Sequence, residues 1–180
     1  MPTTLLIVDV QNDYFPGGRF PLVEPDAAAE RAADVLGRFR EAGLPVVHVQ
    51  HLIDGPDAPF FEPGTPGAEI HDRVAPAEGE TVVQKAHPNA FLETDLEDHL
   101  QRLGTDRLVV AGMQTNLCID ATVRAASDAG RTVTVVGDAC AAADLEHGGR
   151  AVAGADVHAA FLGALDGTYA TVVDAADLDV

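Results

Sequence analysis

The sequence is poor in basic residues and above all in lysine. Its 180 residues include 29 acidic and only 11 basic side chains, which gives a formal net charge of −18 at pH 7. Nucleic acids and anionic membrane surfaces would repel such a chain, so we expect neither to be its partner. Ten of the eleven basic residues are arginine, and Lys85 is the single lysine.

Cysteine and long apolar runs are also scarce. The two cysteines, Cys118 and Cys140, are too few for a disulfide framework in a chain of this size. No cluster of cysteine and histidine has the spacing of a structural zinc site. No apolar run approaches the ~20 residues of a membrane-spanning helix, and the first residues lack the pattern of a secretory signal. These absences predict a cytoplasmic protein.

The remaining composition is that of an ordinary folded protein. Hydrophobic residues make up 47% of the chain and aromatic residues 5%. A chain of this length can bury roughly 70% of the surface that its unfolded form exposes, which is enough for a sizeable core. We find no internal repeat and no low-complexity linker, so we expect one domain over residues 1–180.

Six short segments rich in β-branched residues predict strands. Each segment is almost continuously apolar rather than alternating, which is typical of strands that are covered on both faces. The predicted strands are residues 4–10, 45–51, 81–84, 107–111, 132–137 and 170–173.

Helical patterns separate these strands. We expect Asp26 to cap a helix over residues 27–42, and Thr94 and Glu97 to form a capping box at the start of a second helix. Two further helices are predicted over residues 117–129 and 157–165. The alternation predicts an α/β fold with a doubly wound, mainly parallel six-stranded sheet and helices on both faces.

Residues 52–80 interrupt this alternation. The segment is rich in proline and glycine and shows no clear secondary-structure pattern. Connections of this length are usually functional, so we expect a lid, a pocket wall or a contact with a neighbouring subunit.

Three reactive side chains follow the predicted strands, at the sheet edge where open α/β folds bind ligands. Asp9 is the penultimate residue of the first predicted strand, Lys85 directly follows the third, and Cys118 lies in the first turn of the helix after the fourth. A helix N-terminus and a nearby lysine favour a thiolate, and an aspartate can accept the thiol proton. Together they predict an activated nucleophile. Taken singly, each has an ordinary alternative as a turn residue, a solvated strand end or an inert thiol, and we expect the inert role for Cys140.

Four motifs resemble those of the isochorismatase-like cysteine hydrolases. In sequence order they are LIVDVQNDYF at residues 6–15, GTPGAE at 64–69, the segment from Lys85 to NAF at 89–91, and GMQTNLCIDAT at 112–122. The resemblance covers essentially the whole chain and implies the three-layer sandwich of that superfamily. It also implies a homo-oligomer, a dimer or a tetramer.

The resemblance implies a catalytic triad of Asp9, Lys85 and Cys118. In that mechanism the Cys118 thiolate attacks a carbonyl carbon, the C–N bond breaks and water hydrolyses the resulting thioester. A cis peptide bond is expected at Met113–Gln114, which aims the backbone N–H of Gln114, with that of Cys118, at the developing oxyanion. No cofactor is expected. Arginine replaces lysine freely on a surface but not at a compact site, which fits the retention of a single lysine.

A pocket for a small-molecule substrate is predicted around this triad. Its candidate lining residues are Gln11, Phe15, Phe60, Phe61, His87, Phe91 and Asn116. The aromatic side chains favour a substrate with an apolar or planar part and a carbonyl bonded to nitrogen. An amide, a cyclic imide, a lactam or a ureido compound would fit.

Other activities of the superfamily stay open as alternatives. The nicotinamidase branch carries an Asp-x-His metal pair after the second strand, whereas this chain has His48 and His51, whose odd spacing on a strand turns them to opposite faces. We therefore expect no metal site. Isochorismatases cleave a vinyl ether and often lack the nucleophilic cysteine, so Cys118 favours amide hydrolysis. A redox-sensing thiol is the non-enzymatic alternative.

Overall fold

The computed structural model describes residues 2–55 and 57–180. Its main sheet contains the strands β1 (Thr3–Val8), β2 (Val46–His51), β3 (Thr81–Lys85), β4 (Arg107–Met113), β5 (Thr132–Ala141) and β8 (Thr171–Val173). The strand order is β3-β2-β1-β4-β5-β8, and every neighbouring pair is parallel. A separate antiparallel hairpin is formed by β6 (Leu145–His147) and β7 (Arg150–Val152).

Four helices cover the two faces of the sheet. They are α1 (Pro25–Glu41), α2 (Leu96–Arg102), α3 (Asp120–Asp128) and α4 (Gly154–Leu165). Leu5 and Ile7 of β1 belong to one apolar core with α1, whereas Leu6 and Val8 belong to a second core with α2, α3 and the end of α4. Alternate residues of one strand are therefore buried on opposite faces, which explains the continuous apolar run. The predicted six-stranded α/β fold with helices on both faces is confirmed.

The first strand and the first helix differ from prediction at their ends. β1 ends at Val8 because Asp9 has a φ of 52°, in the left-handed region that extended strands do not use. α1 begins at Pro25 and is preceded by Glu24, so the prediction that Asp26 is its N-cap was wrong. Proline suits the first helical position because its missing N–H would have no helical partner there.

The predicted capping box does not form either. Asp95 precedes α2, and the Thr94 hydroxyl donates to the Ala90 carbonyl at 2.6 Å, while Glu97 pairs with Arg131. The helix predicted over residues 117–129 is divided, because a π-helical turn over Thr115–Ile119 comes before α3.

Residues 52–80 are folded against the end of β1. The segment contains two short 3-10 turns, Pro66–Ala68 and Asp72–Val74. The Gln11 amide donates to the Ala68 carbonyl at 2.8 Å, and the Asp13 carboxylate accepts the Phe61 N–H at 2.7 Å. Side chains from the first motif thus hold the segment beside the edge where the reactive residues lie. Among the described residues, no helix combines the length and the apolar character needed to cross a bilayer.

Candidate active site

Asp9 lies directly after β1 and is completely buried. Its backbone N–H donates to the Val49 carbonyl of the neighbouring strand β2 at 3.0 Å, which fixes the residue at the carboxyl end of the sheet. A left-handed backbone is uncommon for a residue other than glycine and is found most often where function requires it. The sequence placed Asp9 inside the strand, and the structure moves it one residue beyond the strand's end.

Lys85 is the last residue of β3, and its side chain is fully buried. Its ammonium nitrogen contacts four atoms of opposite or partial negative charge: Asp9 Oδ2 at 2.7 Å, the His87 carbonyl at 3.0 Å, His51 Nδ1 at 3.2 Å and Cys118 Sγ at 3.2 Å. Removing one partner of a buried ion pair costs about 3–5 kcal/mol, so this ammonium is integral to the centre.

Cys118 lies in the π-helical turn that follows β4, and only 3% of its surface is exposed. The peptide bond between Met113 and Gln114, just before this turn, is cis, as the resemblance implied. Burial raises the pKa of the Cys118 thiol, and the nearby Asp9 charge raises it further, against the opposing effect of Lys85. Burial is the largest of these effects, and it opposes the thiolate that the helix terminus and the lysine were expected to favour.

His51 completes this centre, although the sequence did not single it out as a functional residue. Its Nδ1 atom lies 3.2 Å from Lys85 Nζ, 3.7 Å from Asp9 Oδ2 and 3.8 Å from Cys118 Sγ. Burial lowers the pKa of His51, while the Asp9 charge raises it and the Lys85 charge lowers it. His51 is the last residue of β2, and its partner in the register with β3 is Lys85. Strand order could have revealed it, since β2 lies between the strands that carry Asp9 and Lys85.

The other histidine of β2 lies apart from this centre. His48 is buried, and its Nε2 atom is 2.9 Å from the Glu80 carboxylate. Asp9, His51 and Cys118 offer ligand atoms that lie within 4.8 Å of one another, which is the spacing of a possible metal site. The ammonium of Lys85, however, contacts all three of these groups. This arrangement fits an ammonium as its cation, because a metal ion would have to displace Lys85.

Tyr14 and Gln114 extend the buried polar group beyond the triad. Both are 1% exposed, and Gln114 Nε2 donates to the Tyr14 hydroxyl at 3.4 Å. The pKa of Tyr14 is raised first by burial, then by the charge that Cys118 carries in its thiolate form and by the charge of Asp9, so its hydroxyl lies in the field of both. Tyr14 was missed in the sequence, where it stands next to the predicted pocket residue Phe15.

The comparison with protein families agrees with this geometry. Residues 3–177 match the model of the Isochorismatase domain. The chain belongs to the isochorismatase family of hydrolases, and the resemblance seen in its motifs is confirmed.

Relatives within the family match over most of the chain. The isochorismatase family protein YddQ of Bacillus subtilis, itself uncharacterized, is 51% identical over 172 residues, which are 96% of this chain and 96% of YddQ. Maleamate amidohydrolase of Pseudomonas putida is 37% identical over 153 residues, which are 74% of this chain and 71% of that enzyme.

Solved structures of the family share the fold. An isochorismatase-type hydrolase from Oleispira antarctica superposes with a TM-score of 0.95 at 49% identity, covering 98% of this chain and 95% of that one. N-carbamoylsarcosine amidase from Thermoplasma acidophilum superposes with a TM-score of 0.85 at 26% identity, and the match covers 100% of both chains.

Six of the seven predicted pocket residues of this isochorismatase-family chain fall into two groups. The seventh, Asn116, is buried, and its Oδ1 atom has no hydrogen-bond partner among residues 2–55 and 57–180. Gln11 lies beside the centre, but its amide is engaged with the backbone: Nε2 donates to the carbonyls of His51 and Ala68, and Oε1 accepts the His51 N–H, each at 2.8 Å. Phe60 and Phe61 pack together, with ring centroids 4.9 Å apart. The Phe61 ring is also 4.6 Å from that of Tyr14 and 5.9 Å from that of His51, so these rings form an apolar wall beside the centre.

The second group, Phe15, His87 and Phe91, has ring partners outside the triad. The Phe15 ring stacks on His71 with centroids 3.8 Å apart. The His87 ring pairs with the Glu93 carboxylate at 3.3 Å, and only the backbone carbonyl of His87 contacts Lys85. Phe91 lies under a guanidinium, 5.6 Å from its ring centroid. The role of these three residues in substrate binding stays a prediction.

Proposed function

We propose that the protein is a cysteine hydrolase that cleaves a C–N bond of a small molecule through a thioester intermediate. The observation that carries the proposal is the buried group formed by Asp9, Lys85 and Cys118, in which one ammonium lies 2.7 Å from the carboxylate and 3.2 Å from the sulfur. The names of two relatives, maleamate amidohydrolase and N-carbamoylsarcosine amidase, also refer to substrates of the amide type.

The first half of the reaction forms the thioester. Asp9 takes the proton of the Cys118 thiol, and the Lys85 ammonium stabilises the thiolate as it attacks the carbonyl carbon. The backbone N–H groups of Gln114 and Cys118 are the proposed donors to the oxyanion. In other enzymes, removal of one such donor raises the activation barrier by about 3–4 kcal/mol. The C–N bond then breaks, and Asp9 passes its proton to the leaving nitrogen.

The second half of the reaction restores the thiol. Asp9, again a carboxylate, takes a proton from a water molecule whose oxygen attacks the thioester carbon. The C–S bond breaks, the acid product leaves, and the proton on Asp9 returns to the sulfur of Cys118. One amide bond and one water molecule are consumed, and no oxidant or cofactor takes part.

Two buried acceptors support a substrate that carries N–H groups. Gln114 Oε1 and Asn116 Oδ1 are buried, and neither has a hydrogen-bond partner among residues 2–55 and 57–180. Buried polar atoms without a partner are costly, so a ligand that supplies donors here gains affinity. With the aromatic wall of Phe60 and Phe61, this favours a small, planar primary amide, cyclic imide or ureido compound.

The test compares the wild type with Cys118→Ala and with Cys140→Ala, a control at the other buried cysteine. Each protein is incubated with primary amides, cyclic imides, lactams and ureido compounds, and the release of ammonia or amine is followed. We expect turnover of at least one class by the wild type and by Cys140→Ala, with an acyl adduct on Cys118 in the intact mass, and none by Cys118→Ala.

Other outcomes identify the alternatives. Isochorismate is included in the panel, and its conversion by Cys118→Ala would show a vinyl-ether hydrolase instead. Reversible oxidation of Cys118 without turnover of any amide would show a thiol sensor. Either result overturns the proposal.

A further inference from the structure

We propose that His51 is a positioning residue, which accepts one ammonium proton of Lys85 and thereby leaves both oxygens of Asp9 free to take the Cys118 proton. The inference rests on the proposed function, since it assigns a role within that mechanism. It adds a fourth residue to the centre and gives that residue a role other than acid–base catalysis.

The hydrogen bonds of Lys85 are the first step of the argument. An ammonium group has three protons to donate. Within residues 2–55 and 57–180, Lys85 Nζ has three contacts with hydrogen-bond geometry: the His51 Nδ1 atom, the His87 carbonyl and the Cys118 sulfur, at 3.2, 3.0 and 3.2 Å. The contact with Asp9 is shorter, at 2.7 Å, but it is an ion pair without hydrogen-bond geometry.

The oxygens of Asp9 are the second step. Both are buried, and neither has a hydrogen-bond partner in the part of the chain that the structure describes. A carboxylate that accepts several hydrogen bonds is a weaker base, because those bonds favour its charged form. The orientation of Lys85 therefore pairs the ammonium with Asp9 by charge and adds no hydrogen bond to either Asp9 oxygen, so both oxygens stay open to the Cys118 proton.

The state of His51 is the third step. Because an ammonium can only donate, Nδ1 of His51 must be the acceptor, and the neutral ring carries its proton on Nε2. Burial lowers the pKa of His51 and so favours this neutral form. The ionisable groups that face the ring are Asp9, Lys85, Cys118 and His87.

The backbone of His51 is held as firmly as its ring. Gln11 Oε1 accepts the His51 N–H, and Gln11 Nε2 donates to the His51 carbonyl, both at 2.8 Å. Gln11 is itself fully buried. This pair of bonds fixes the end of β2, so Nδ1 is presented to Lys85 at a constant distance.

Loss of the acceptor has a defined consequence. The Lys85 proton that His51 accepts would then be donated to the nearest other acceptor, which is Asp9 at 2.7 Å. An Asp9 oxygen that otherwise takes the Cys118 proton would then be occupied by Lys85, and less Cys118 thiolate would form at neutral pH. We expect lower kcat with little change in KM, because the binding groups of the pocket are unaffected.

The experiment uses two variants of nearly equal shape. His51→Asn places its amide oxygen at the position of Nδ1 and keeps an acceptor, whereas His51→Leu fills the same space without one. His51→Gln keeps an acceptor but places it one bond further out. All three are made in the Cys140→Ala background, so that alkylation by iodoacetamide reports on Cys118 alone.

The main measurement is the alkylation rate at pH 7, which needs no substrate. We expect His51→Leu and His51→Gln to react about 10-fold or more slowly than the parent, and His51→Asn to stay within about threefold of it. The kcat values should follow the same order, with KM within about twofold. Thermal unfolding confirms that each variant is folded.

Two results overturn the inference. If His51→Leu alkylates and turns over as fast as the parent, His51 does not orient Lys85. If His51→Asn is as slow as His51→Leu, the imidazole acts by its own proton transfer and not as an acceptor. Should the alkylation rates follow the expected order while no amide is hydrolysed, the proposed function fails and the role of His51 stands.

Discussion

Gly112 of β4 and Val8 of β1 approach so closely that a Cβ atom on Gly112 would lie 2.0 Å from the Val8 carbonyl oxygen. Gly112 also has a φ of 135°, which residues with a side chain rarely adopt. Asp9 follows Val8 directly, and the turn that carries Cys118 begins three residues after Gly112. This contact therefore holds together the ends of the two strands after which Asp9 and the turn that carries Cys118 follow.

We expect Gly112→Ala to destabilise the protein severely, since the methyl group meets backbone atoms that cannot move aside. A clash of this kind combined with an unfavourable φ costs about 3 kcal/mol or more. The measurement is the free energy of unfolding in urea. Gly37→Ala in α1 is the matched control, because nothing lies within 4 Å of its added methyl. It should stabilise the protein by about 0.5–1 kcal/mol. A Gly112→Ala protein as stable as the wild type would contradict the close approach.

Lys85→Arg should fold and lose most of its activity. A planar guanidinium cannot place its protons where the compact ammonium contacts Asp9 and Cys118, and the side chain is fully buried. We expect a fall of about 100-fold or more in kcat/KM on the amide identified by the panel. Arg150→Lys, at an exposed position of β7, is the reciprocal control and should be fully active. An active Lys85→Arg enzyme would refute the role of Lys85.

The thiol of Cys118 should react slowly at neutral pH. Burial raises its pKa, and the folded protein therefore holds the proton at pH values where an ordinary cysteine, with a pKa of about 8.5, has begun to lose it. In the Cys140→Ala background, the iodoacetamide rate should still be rising above about pH 9. The same protein unfolded in urea gives the reference curve. A plateau below pH 8 in the folded protein would show that the thiolate is already formed at rest.

Glu80 should make the stability of the folded protein depend on pH in the acid range. Its carboxylate forms hydrogen bonds with Arg40, the Ala77 N–H and His48. Together they lower the pKa of Glu80 to about 2, and the hydrogen bond from Arg40 contributes most. Because the folded pKa is lower than the unfolded one, this stability is present above about pH 4.5 and is lost as the pH falls towards 2.

The measurement for Glu80 is urea unfolding of the wild type and Glu80→Gln at pH 7 and pH 3. We expect the wild type to be more stable by about 1–2 kcal/mol at pH 7, and this advantage to shrink at pH 3. Glu30→Gln, at an exposed position of α1, should change stability equally at both pH values. An advantage of the wild type that grows at pH 3 would contradict the direction of the pKa change.

The triad could be predicted because it depends on rules that act along the chain. Parallel strands place their carboxyl ends at one edge, so Asp9, Lys85 and Cys118 could be assigned to one site before any distance was known. His51 could not be found this way, since only the strand order shows that β2 lies between β1 and β3. Tyr14 could not be predicted for a similar reason, because tertiary packing, and not its spacing along the sequence, brings its hydroxyl to Gln114.

The direction of the pKa shift of Cys118 could not be predicted from the sequence either. Lys85 lowers the pKa of Cys118 as expected, but this effect had to be weighed against a burial that only the folded chain defines. The N-cap at Asp26 failed for a local reason. Pro25 suits the first helical position, so α1 begins two residues earlier than the predicted start at residue 27.

The segment of residues 52–80 is anchored at two points, with a short surface loop between them. Phe61 and Ala68 are tied to the first motif, and a Cβ atom on Gly67 would lie 2.1 Å from the Asp13 carboxylate, so the chain on both sides of residues 62–65 is fixed. We expect a longer chain between these points to leave both anchors in place, since the entropic cost of a longer surface loop grows only slowly. The segment is therefore a site for grafting a recognition loop near the buried group of Asp9, His51, Lys85 and Cys118, because the Phe61 ring lies 5.9 Å from that of His51.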